Sequence, residues 1–307
     1  MAQRSIITIG NFDGVHVGHR AIIERGRQVA DRFDLPLRVL TFEPHPATVL
    51  RPGSEPPRLG GFDDKQRLLR EAGADQVVVL KPEPRFLAQS PQVFVEQLVC
   101  EHRPRVIVEG YNFRFGRDRL GDVAILSELG GEFDFEVIVM PAVDVALTDQ
   151  LLVPVSSSLV RWLIGRGRVV DAARCLGRPC ALAGQVISGD RRGREIGFPT
   201  ANLDAVPLEG LIQPADGVYG GYVILPEADR LPAAINVGTR PTFQGRRRCI
   251  EAHVLDFDGD LYNQRITIEF TRWLRDEQPF PGLDELCQQL TRDVTAVRDL
   301  NRLALLT

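Results

Sequence analysis

The first half of the chain alternates short apolar runs with longer amphipathic stretches. The apolar runs are rich in Val, Ile and Leu and predict buried strands at Ile6–Ile9, Leu37–Phe42, Gln76–Leu80, Arg105–Glu109 and Phe135–Met140. Between them, apolar residues recur at helical spacing near Gly18–Phe33, Asp63–Ala72, Pro91–His102 and Asp122–Leu129. This alternation predicts an α/β domain with a doubly wound parallel sheet, in which ligands bind beyond the carboxyl ends of the strands.

The pattern changes after Pro179. Strand-like runs separated by Gly, Pro and Asp follow at Ala181–Ser188, Val218–Ile224, Ala233–Val237, Ile250–Asp256 and Arg265–Phe270. A long helical pattern returns only at Leu283–Leu300. We therefore predict an antiparallel β-barrel or sandwich with a terminal helix. Because Gly177-Arg-Pro179 breaks regular structure, we expect two domains, 1–178 and 182–307.

Composition narrows the class of protein. A length of 307 residues accommodates two domains, and 44% hydrophobic with 25% charged residues is ordinary for a globular protein. The net charge of -4 argues against nonspecific binding to nucleic acid or to an anionic membrane. We expect no membrane span and no signal peptide before Ile6. Five scattered cysteines without a CxxC predict reduced thiols in a cytoplasmic protein, whereas oligomeric state does not follow from the sequence.

The first candidate site lies where the first strand feeds a helix. After Gly10, a loop leads to His16 and His19 at the predicted helix N-terminus, where unpaired N–H groups and the helix dipole favour an anion. Two imidazoles add donors for charge that develops on a phosphoryl group, and Gly18 leaves room for a nucleotide. Two alternatives remain. Any strand–Gly–helix turn can have this composition, and a His pair three apart can be part of a metal site, although no third ligand is spaced to complete one.

Further candidates occupy other loops of the first half. His45, between two prolines after the second strand, is either a site residue or an exposed loop histidine. The segment Gly110–Arg119 either recognises a base and phosphates or packs as a simple loop. Three hydroxyls at a helix start, from Ser156, provide an N-cap or an anion nest. The Pro- and Gly-rich stretch Arg51–Gly61 predicts a mobile connector or flap.

These motifs resemble those of one enzyme family. His16-Val-Gly-His19 resembles the HxGH signature of the nucleotidyltransferase superfamily, which includes class I aminoacyl-tRNA synthetases, and its longer form from Gly10 is similar to bacterial FAD synthetases. Asn112-Phe-Arg-Phe-Gly and Val155-Ser-Ser-Ser-Leu-Val-Arg161 resemble two further signatures, with Leu120 and Leu159 departing from the usual small residue and Arg. The resemblance implies a catalytic pair, His16 and His19, and nucleotide or flavin contacts at Gly10, Phe12, Asp13, Gly18, His45, Asn112, Arg114, Ser157, Ser158 and Arg161.

The densest motif of the second half is Gly184–Asn202. Its glycines, Gly184, Gly189, Gly193 and Gly197, allow close backbone approach to a polyphosphate, although the Gly-Lys-Ser/Thr ending of a P-loop is absent. Thr200 and Asn202 alternate along an extended segment, and neutral oxygens suit Mg2+ already held by nucleotide phosphates. The competing interpretation is a hairpin turn with both side chains in water. Glu251, on a predicted strand, either deprotonates a substrate hydroxyl or faces solvent.

Gly197-Phe-Pro-Thr-Ala-Asn-Leu203 resembles the signature of riboflavin kinases. The pattern from Glu251 to Tyr262 resembles the segment that carries that family's catalytic base, with Asn263 in place of the usual Gly. Phe270–Phe280 resembles the flavin-contacting end, although packing of Trp273 in a small core explains it nearly as well. The resemblance implies Glu251 as base, Thr200 and Asn202 as Mg2+ ligands, and cofactor contacts at Gly184, Gly189, Arg191, Gly193, Gly197, Phe198 and Arg275.

The resemblance covers essentially the whole chain and implies a bifunctional riboflavin kinase and FMN adenylyltransferase, with ATP, riboflavin, FMN and FAD as substrates or products. Two alternatives stay open. One is a single-activity enzyme in which Leu159 or Asn263 marks an inactive module. The other is a flavin- or RNA-binding protein that reuses these folds, and the pI near 5.8 speaks against RNA.

Overall fold

A computed structural model describes residues 3–188, 192–204, 206–227, 229–242 and 245–304. Contacts divide the chain into two compact units. The first unit is Met1–Ala146 with Leu151–Ser157, and the second is Leu147–Gln150 with Ser158–Thr307. None of the helices in the described ranges combines the length and the apolar character that crossing a membrane requires.

The first unit is built on a parallel sheet with helices on both faces. Within the described residues its strands are β1 (Ser5–Gly10), β2 (Leu37–Phe42), β3 (Gln76–Leu80), β4 (Pro104–Gly110) and β5 (Glu136–Met140), in the order β3-β2-β1-β4-β5. Its longer helices are α1 (Val17–Phe33), α3 (Phe62–Glu71), α5 (Pro91–His102) and α6 (Val123–Phe133). The predicted doubly wound sheet is confirmed, because every strand pairs in parallel with its neighbours.

Two apolar layers cover this sheet. Alternate residues of β1 point to opposite faces, so Ile6 joins the layer with Ile23 of α1, and Ile7 joins the layer with Val95 of α5. The strand order reverses between β1 and β4, and this reversal creates the crevice in which such sheets bind ligands. The loops after β1 and β4 are therefore placed to form a site.

Several short elements of the first unit were not predicted. They are α2 (Ala47–Leu50), α4 (Pro84–Leu87), a 3-10 turn at Arg117–Arg119, and a hairpin of β6 (Asp144–Ala146) and β7 (Leu152–Pro154). Each spans three or four residues, which is too short for a hydrophobic period to register.

The second unit contains a closed antiparallel barrel. In the described ranges its strands are β8 (Cys180–Ile187), β9 (Ala201–Leu203), β10 (Gly217–Ile224), β11 (Arg230–Thr242), β12 (Gly245–Val254) and β13 (Arg265–Arg275), in the order β10-β11-β12-β9-β8-β13. A short helix, α9 (Arg192–Glu195), precedes β9, a 3-10 turn follows at Val206–Leu208, and α10 (Leu283–Ala304) ends the fold. Of the two predicted alternatives, barrel or sandwich, the structure forms the barrel, and the terminal helix is confirmed.

Two helices before the barrel cluster with it. They are α7 (Ser157–Gly165) and α8 (Val169–Leu176), and α8 contacts strands β8 and β13. Val169 belongs to the barrel's apolar core, and Cys175 is fully buried. In the turn between β6 and β7, the backbone N–H of Thr148 donates to the buried carboxylate of Asp171 on α8 at 2.6 Å. By packing, the first unit ends at Ser157 and the second continues from Ser158. The domain boundary near 178–182 remains a prediction.

Candidate active sites

The loop that follows β1 has an unusual backbone. Phe12, Gly14 and Val15 all have positive φ angles, of 47°, 79° and 39°. Left-handed backbone disfavours a β-branched residue such as Val15, so neighbouring groups must hold this conformation. Strained backbone of this kind clusters at functional sites, which agrees with the position of the loop at the sheet crevice.

Three segments anchor the loop by hydrogen bonds. The Thr41 hydroxyl at the end of β2 donates to the carbonyl of Asn11 at 3.1 Å. The backbone N–H of Leu59, in the connector for which mobility is predicted, donates to the Asp13 carboxylate at 3.0 Å. The hydroxyl of Ser157 donates to the carbonyl of Asp13 at 2.8 Å. Asp13 and Ser157, both predicted site residues, therefore act on the shape of the loop.

The two histidines of the HxGH motif lie against each other. Buried His16 caps α1, because its Nδ1 accepts from the backbone N–H of His19 at 3.3 Å. The rings stack with centroids 3.6 Å apart and an interplanar angle of 17°. A Cβ on Gly18 would stand 3.2 Å from the His16 ring, so this glycine leaves room for the cap. In the same way, Gly10 leaves room for the Phe12 ring.

The surroundings of His19 favour its neutral ring. The Phe12 ring meets it edge-on at 5.2 Å. Burial, and then the nearby His16, lower the pKa of His19 well below its usual value. In the described part of the chain, its buried Nδ1 atom has no hydrogen-bond partner. A buried polar atom of this kind is unusual in a folded protein, and a neutral imidazole can donate a hydrogen bond without carrying a charge of its own.

Glu109 is a buried carboxylic acid at the same sheet crevice. The backbone pairing of β1 with β4 ends at Ile7 and Ile107. Beyond it, the side chain of Glu109 accepts from the backbone N–H of Ile9 at 2.6 Å. Burial raises the pKa of Glu109 well above its usual value, partly offset by that bond. Glu109 is not among the site residues predicted from the sequence, although a single acid at the end of an apolar strand is a usable signal.

The other predicted residues of this half lie as follows. His45 is half-buried after β2, and its Nδ1 accepts from the backbone N–H of Ala47 at 3.1 Å. Asn112 follows β4, with its Oδ1 3.3 Å from where a Cβ on Gly110 would stand. Arg114 is exposed and donates to the carbonyl of Phe113, while Phe115 is buried. Ser158 and Arg161 lie on α7, and their predicted contact with a nucleotide stays a prediction.

In the barrel, the structure brings the predicted base and metal ligands together. Register places Glu251 of β12 opposite Asn202 of β9. The hydroxyl of Thr200 lies 3.5 Å from a Glu251 carboxylate oxygen. Cys249, on the same side of β12, lies 3.3 Å from Glu251 and 3.8 Å from the Asn202 amide oxygen. A hydroxyl, an amide oxygen and a carboxylate thus converge, and such hard oxygen donors suit Mg2+.

No protein-only metal cluster accompanies these oxygens: across the described residues, no three His, Cys, Asp or Glu side chains group as metal ligands. This donor set therefore fits an ion that also binds substrate phosphates rather than one caged by the protein. Gly193 is close-packed, because a Cβ there would stand 2.3 Å from the Phe198 carbonyl. Gly197 has a φ of 84° in a turn, and Gly184 lies within β8 against Leu203. Gly189 and Arg191 lie outside the described residues.

Arg275 has a structural partner in addition to its predicted flavin contact. Its guanidinium forms a bidentate pair with the buried Asp293 of α10, with nitrogen–oxygen distances of 2.8 and 3.0 Å. Trp273 packs edge-on against Tyr219 at 5.2 Å and is a partly buried residue that lies against the barrel core, in line with the packing interpretation. The flavin contact of Arg275 remains a prediction.

Comparison with known proteins finds a separate match in each half of the chain. A family model described as FAD synthetase matches residues 1–151, and one described as riboflavin kinase matches residues 176–301. A bifunctional riboflavin kinase/FMN adenylyltransferase of Escherichia coli K12 is 38% identical over 298 residues, covering 96% of this chain and 92% of that protein. A protein of the same name from Bacillus subtilis is 33% identical, covering 94% of this chain and 90% of its own.

Among solved structures, a protein from Streptococcus pneumoniae described as a macrolide-efflux protein superposes with a TM-score of 0.87. It is 30% identical and covers 97% of this chain and 95% of its own. The likeness extends over residues of both units.

Proposed function

The chain belongs to the family of bifunctional riboflavin kinase/FMN adenylyltransferases, and from this membership we infer that it makes FAD from riboflavin in two ATP-dependent steps. One observation carries the inference: both family models match, in order, and relatives named for both activities align over nearly the full length. The substrates are therefore riboflavin, FMN and ATP, and the products include FMN and FAD.

For the kinase step, we propose that the barrel site phosphorylates the 5′-hydroxyl of riboflavin. That oxygen bonds to the γ-phosphorus of ATP, the bond from this phosphorus to the β–γ bridging oxygen breaks, and ADP leaves. Glu251 orients the hydroxyl and accepts its proton. What supports this role is the position of its carboxylate beside Thr200 and opposite Asn202.

Thr200 and Asn202 would hold Mg2+ together with the ATP phosphates. Their oxygen atoms fit a hard cation, and the bound ion supplies charge neutralisation on the phosphates. The residues themselves fix where the phosphate chain lies relative to Glu251.

For the adenylyl transfer, we propose that the first unit binds ATP at the loop before α1. A phosphate oxygen of FMN bonds to the α-phosphorus of ATP, the bond to the bridging oxygen breaks, and pyrophosphate leaves. His16 and His19 donate hydrogen bonds to the phosphates as charge redistributes, and no covalent enzyme intermediate forms. The place of both rings at the N-terminus of α1, beside the crevice of the sheet, supports this role.

Chromatography of the products tests both steps at once. After incubation with riboflavin, ATP and Mg2+, FMN should form first and FAD should follow, with release of ADP and pyrophosphate. FMN without FAD would mean that the first unit is inactive, and FAD formed only from added FMN would mean that the kinase is inactive. Bound flavin without turnover would point to a binding protein. The cytoplasmic location stays a proposal that rests on free cysteines.

A further inference from the structure

Across the described residues, β9 has little pairing to hold it in the barrel. It is three residues long, pairs with β12 only at Ala201 and Asn202, and pairs with β8 only at Asn202 and Leu203. Thr200 lies just before this strand, outside the ladder. A proposed metal ligand therefore sits on a segment that needs another anchor.

One hydrogen bond from the neighbouring strand supplies that anchor. The Nδ1 atom of His253 lies 2.8 Å from the carbonyl oxygen of Pro199. A carbonyl can only accept, so this nitrogen carries a proton and donates. The contact fixes the peptide that joins Pro199 to Thr200. The Pro199 ring also fixes the φ angle of Pro199 itself, which limits the backbone freedom of the segment just before Thr200.

Further contacts shape the same segment around His253. The ring of Phe198 meets the His253 ring at 5.4 Å with an interplanar angle of 64°. The backbone N–H of Phe198 donates to the carbonyl of Gly193 at 2.7 Å, closing the turn after α9. His253 is also two residues after Glu251 on β12, so both side chains project from the same face of the strand.

We propose that His253 is a positioning residue of the kinase step, which sets the Thr200 hydroxyl at its working distance from Glu251. One strand then supplies both the base and the anchor of the metal ligand, and the two groups keep their geometry as the barrel fluctuates. The inference rests on the proposed roles of Thr200 and Glu251. In this role His253 acts through Pro199 and Thr200, and not on the reacting atoms or the metal directly.

His253→Ala and His253→Asn separate this role from simple packing. Asparagine places its amide nitrogen as many bonds from Cβ as His Nδ1, so it can donate to Pro199 where alanine cannot. In the full-length protein, His253→Ala should raise the KM for Mg·ATP and the Mg2+ concentration needed for half-maximal kinase rate, by roughly five- to tenfold. His253→Asn should restore most of both. FMN adenylylation in the same samples should not change, and His102→Ala, in the other unit, controls for loss of a histidine.

Hydrogen–deuterium exchange gives a readout that does not depend on activity. Peptides spanning 196–203 should exchange faster in His253→Ala and near the wild-type rate in His253→Asn. Wild-type kinetics in His253→Ala, or equal defects in both variants, would overturn the inference. Thr200→Val tells this result apart from failure of the proposed site: if Thr200→Val also leaves the Mg2+ dependence unchanged, the metal assignment itself is wrong.

Discussion

His19 and Glu251 are held in opposite ways. His19 lies in the first turn of α1, stacked on the His16 ring and met edge-on by the Phe12 ring, with its pKa well below the usual value. Glu251 is half-buried on a strand of the barrel, with a hydroxyl, a thiol and an amide nearby. A rigid neutral donor suits the stabilisation of phosphate charge, whereas a carboxylate within reach of polar groups suits proton transfer.

Replacing His19 should separate the two activities. His19→Ala removes a preorganised donor, and such a loss typically lowers the rate by about a hundredfold or more. FAD formation should therefore collapse, while FMN still accumulates from riboflavin. Chromatography of the products measures both at once, and the kinase step serves as the internal control for folding. Normal FAD synthesis by the folded variant would exclude the role.

The reverse separation is expected for Glu251. Glu251→Gln keeps the size of the side chain but cannot accept the proton of the riboflavin hydroxyl, so FMN formation should fall by about a hundredfold or more. Supplied FMN should still become FAD at the wild-type rate. If the variant phosphorylates riboflavin normally, Glu251 is only a strand residue.

Many residues of the two candidate sites could be predicted from contiguous motifs. Contacts between residues far apart in the chain could not. The HxGH loop and the Thr200–Asn202 segment are contiguous patterns, so their residues could be named in advance. The bond from His253 to Pro199 joins positions 54 apart, and the pair of Arg275 with Asp293 joins a strand to the terminal helix. Such pairs depend on the register of the folded barrel, which periodicity does not specify.

At the scale of elements, α8 decides where a fragment can be cut. Val169 and Leu176 are nearly fully buried, and α8 contacts β8 and β13. Fragment 181–307 lacks this helix, and burial of one such side chain contributes ~1.5–3 kcal/mol. Fragment 147–307 retains the helix and the bond from Thr148 to Asp171.

We expect both fragments to lack FAD formation, and fragment 147–307 to phosphorylate riboflavin. Fragment 181–307 should be less stable by ~3 kcal/mol or more, and should keep kinase activity only where it folds. Urea unfolding followed by circular dichroism, with a kinase assay on each fragment, measures this. Equal stability of the two would show that α8 is dispensable and that the boundary predicted near 178–182 is the working one.

The hydrophobic patterns predicted the long strands and helices of both units. They did not predict the boundary between the units, and helices α7 and α8 show why. Helix α8 is amphipathic, but the pattern of an amphipathic helix does not specify which core its apolar face joins. Likewise, the alternation of the second half predicted strands without fixing whether they close into a barrel. Closure depends on the pairing of β9 with both β8 and β12, and β9 is too short to give a sequence signal.

At the scale of the whole molecule, the two units should respond differently to pH. Burial holds the pKa of Glu109 well above the ordinary value of 4.5, so the folded first unit keeps this proton where the unfolded chain has lost it. Stability of that unit should therefore fall as pH rises from about 4.5 to the folded pKa, by at most ~1.4 kcal/mol per pH unit. Glu109→Gln, which keeps an acceptor for Ile9, should remove this dependence.

Thermal unfolding between pH 5 and pH 8 measures the effect. Both tryptophans, Trp162 and Trp273, belong to the second unit, so their fluorescence reports that unit and supplies the control. The unfolding transition of the first unit is the one that circular dichroism detects and tryptophan fluorescence does not. Its midpoint temperature should change with pH in the wild type and change less in Glu109→Gln. The same pH slope in both proteins would contradict the assignment.

Two buried cysteines, one on α8 and one on β8, allow thiol labelling to follow the order in which these two elements open. Cys175 on α8 and Cys180 on β8 are both buried, and burial raises the pKa of Cys175 and raises that of Cys180 to about 12. Cys100 in the first unit is exposed, so a thiol reagent reaches it in the native state. A pulse of maleimide during unfolding labels each of the other two thiols only once it has become exposed. Label on Cys175 before Cys180 reports that α8 lifts from an intact barrel, and simultaneous label reports that helix and barrel open as one body.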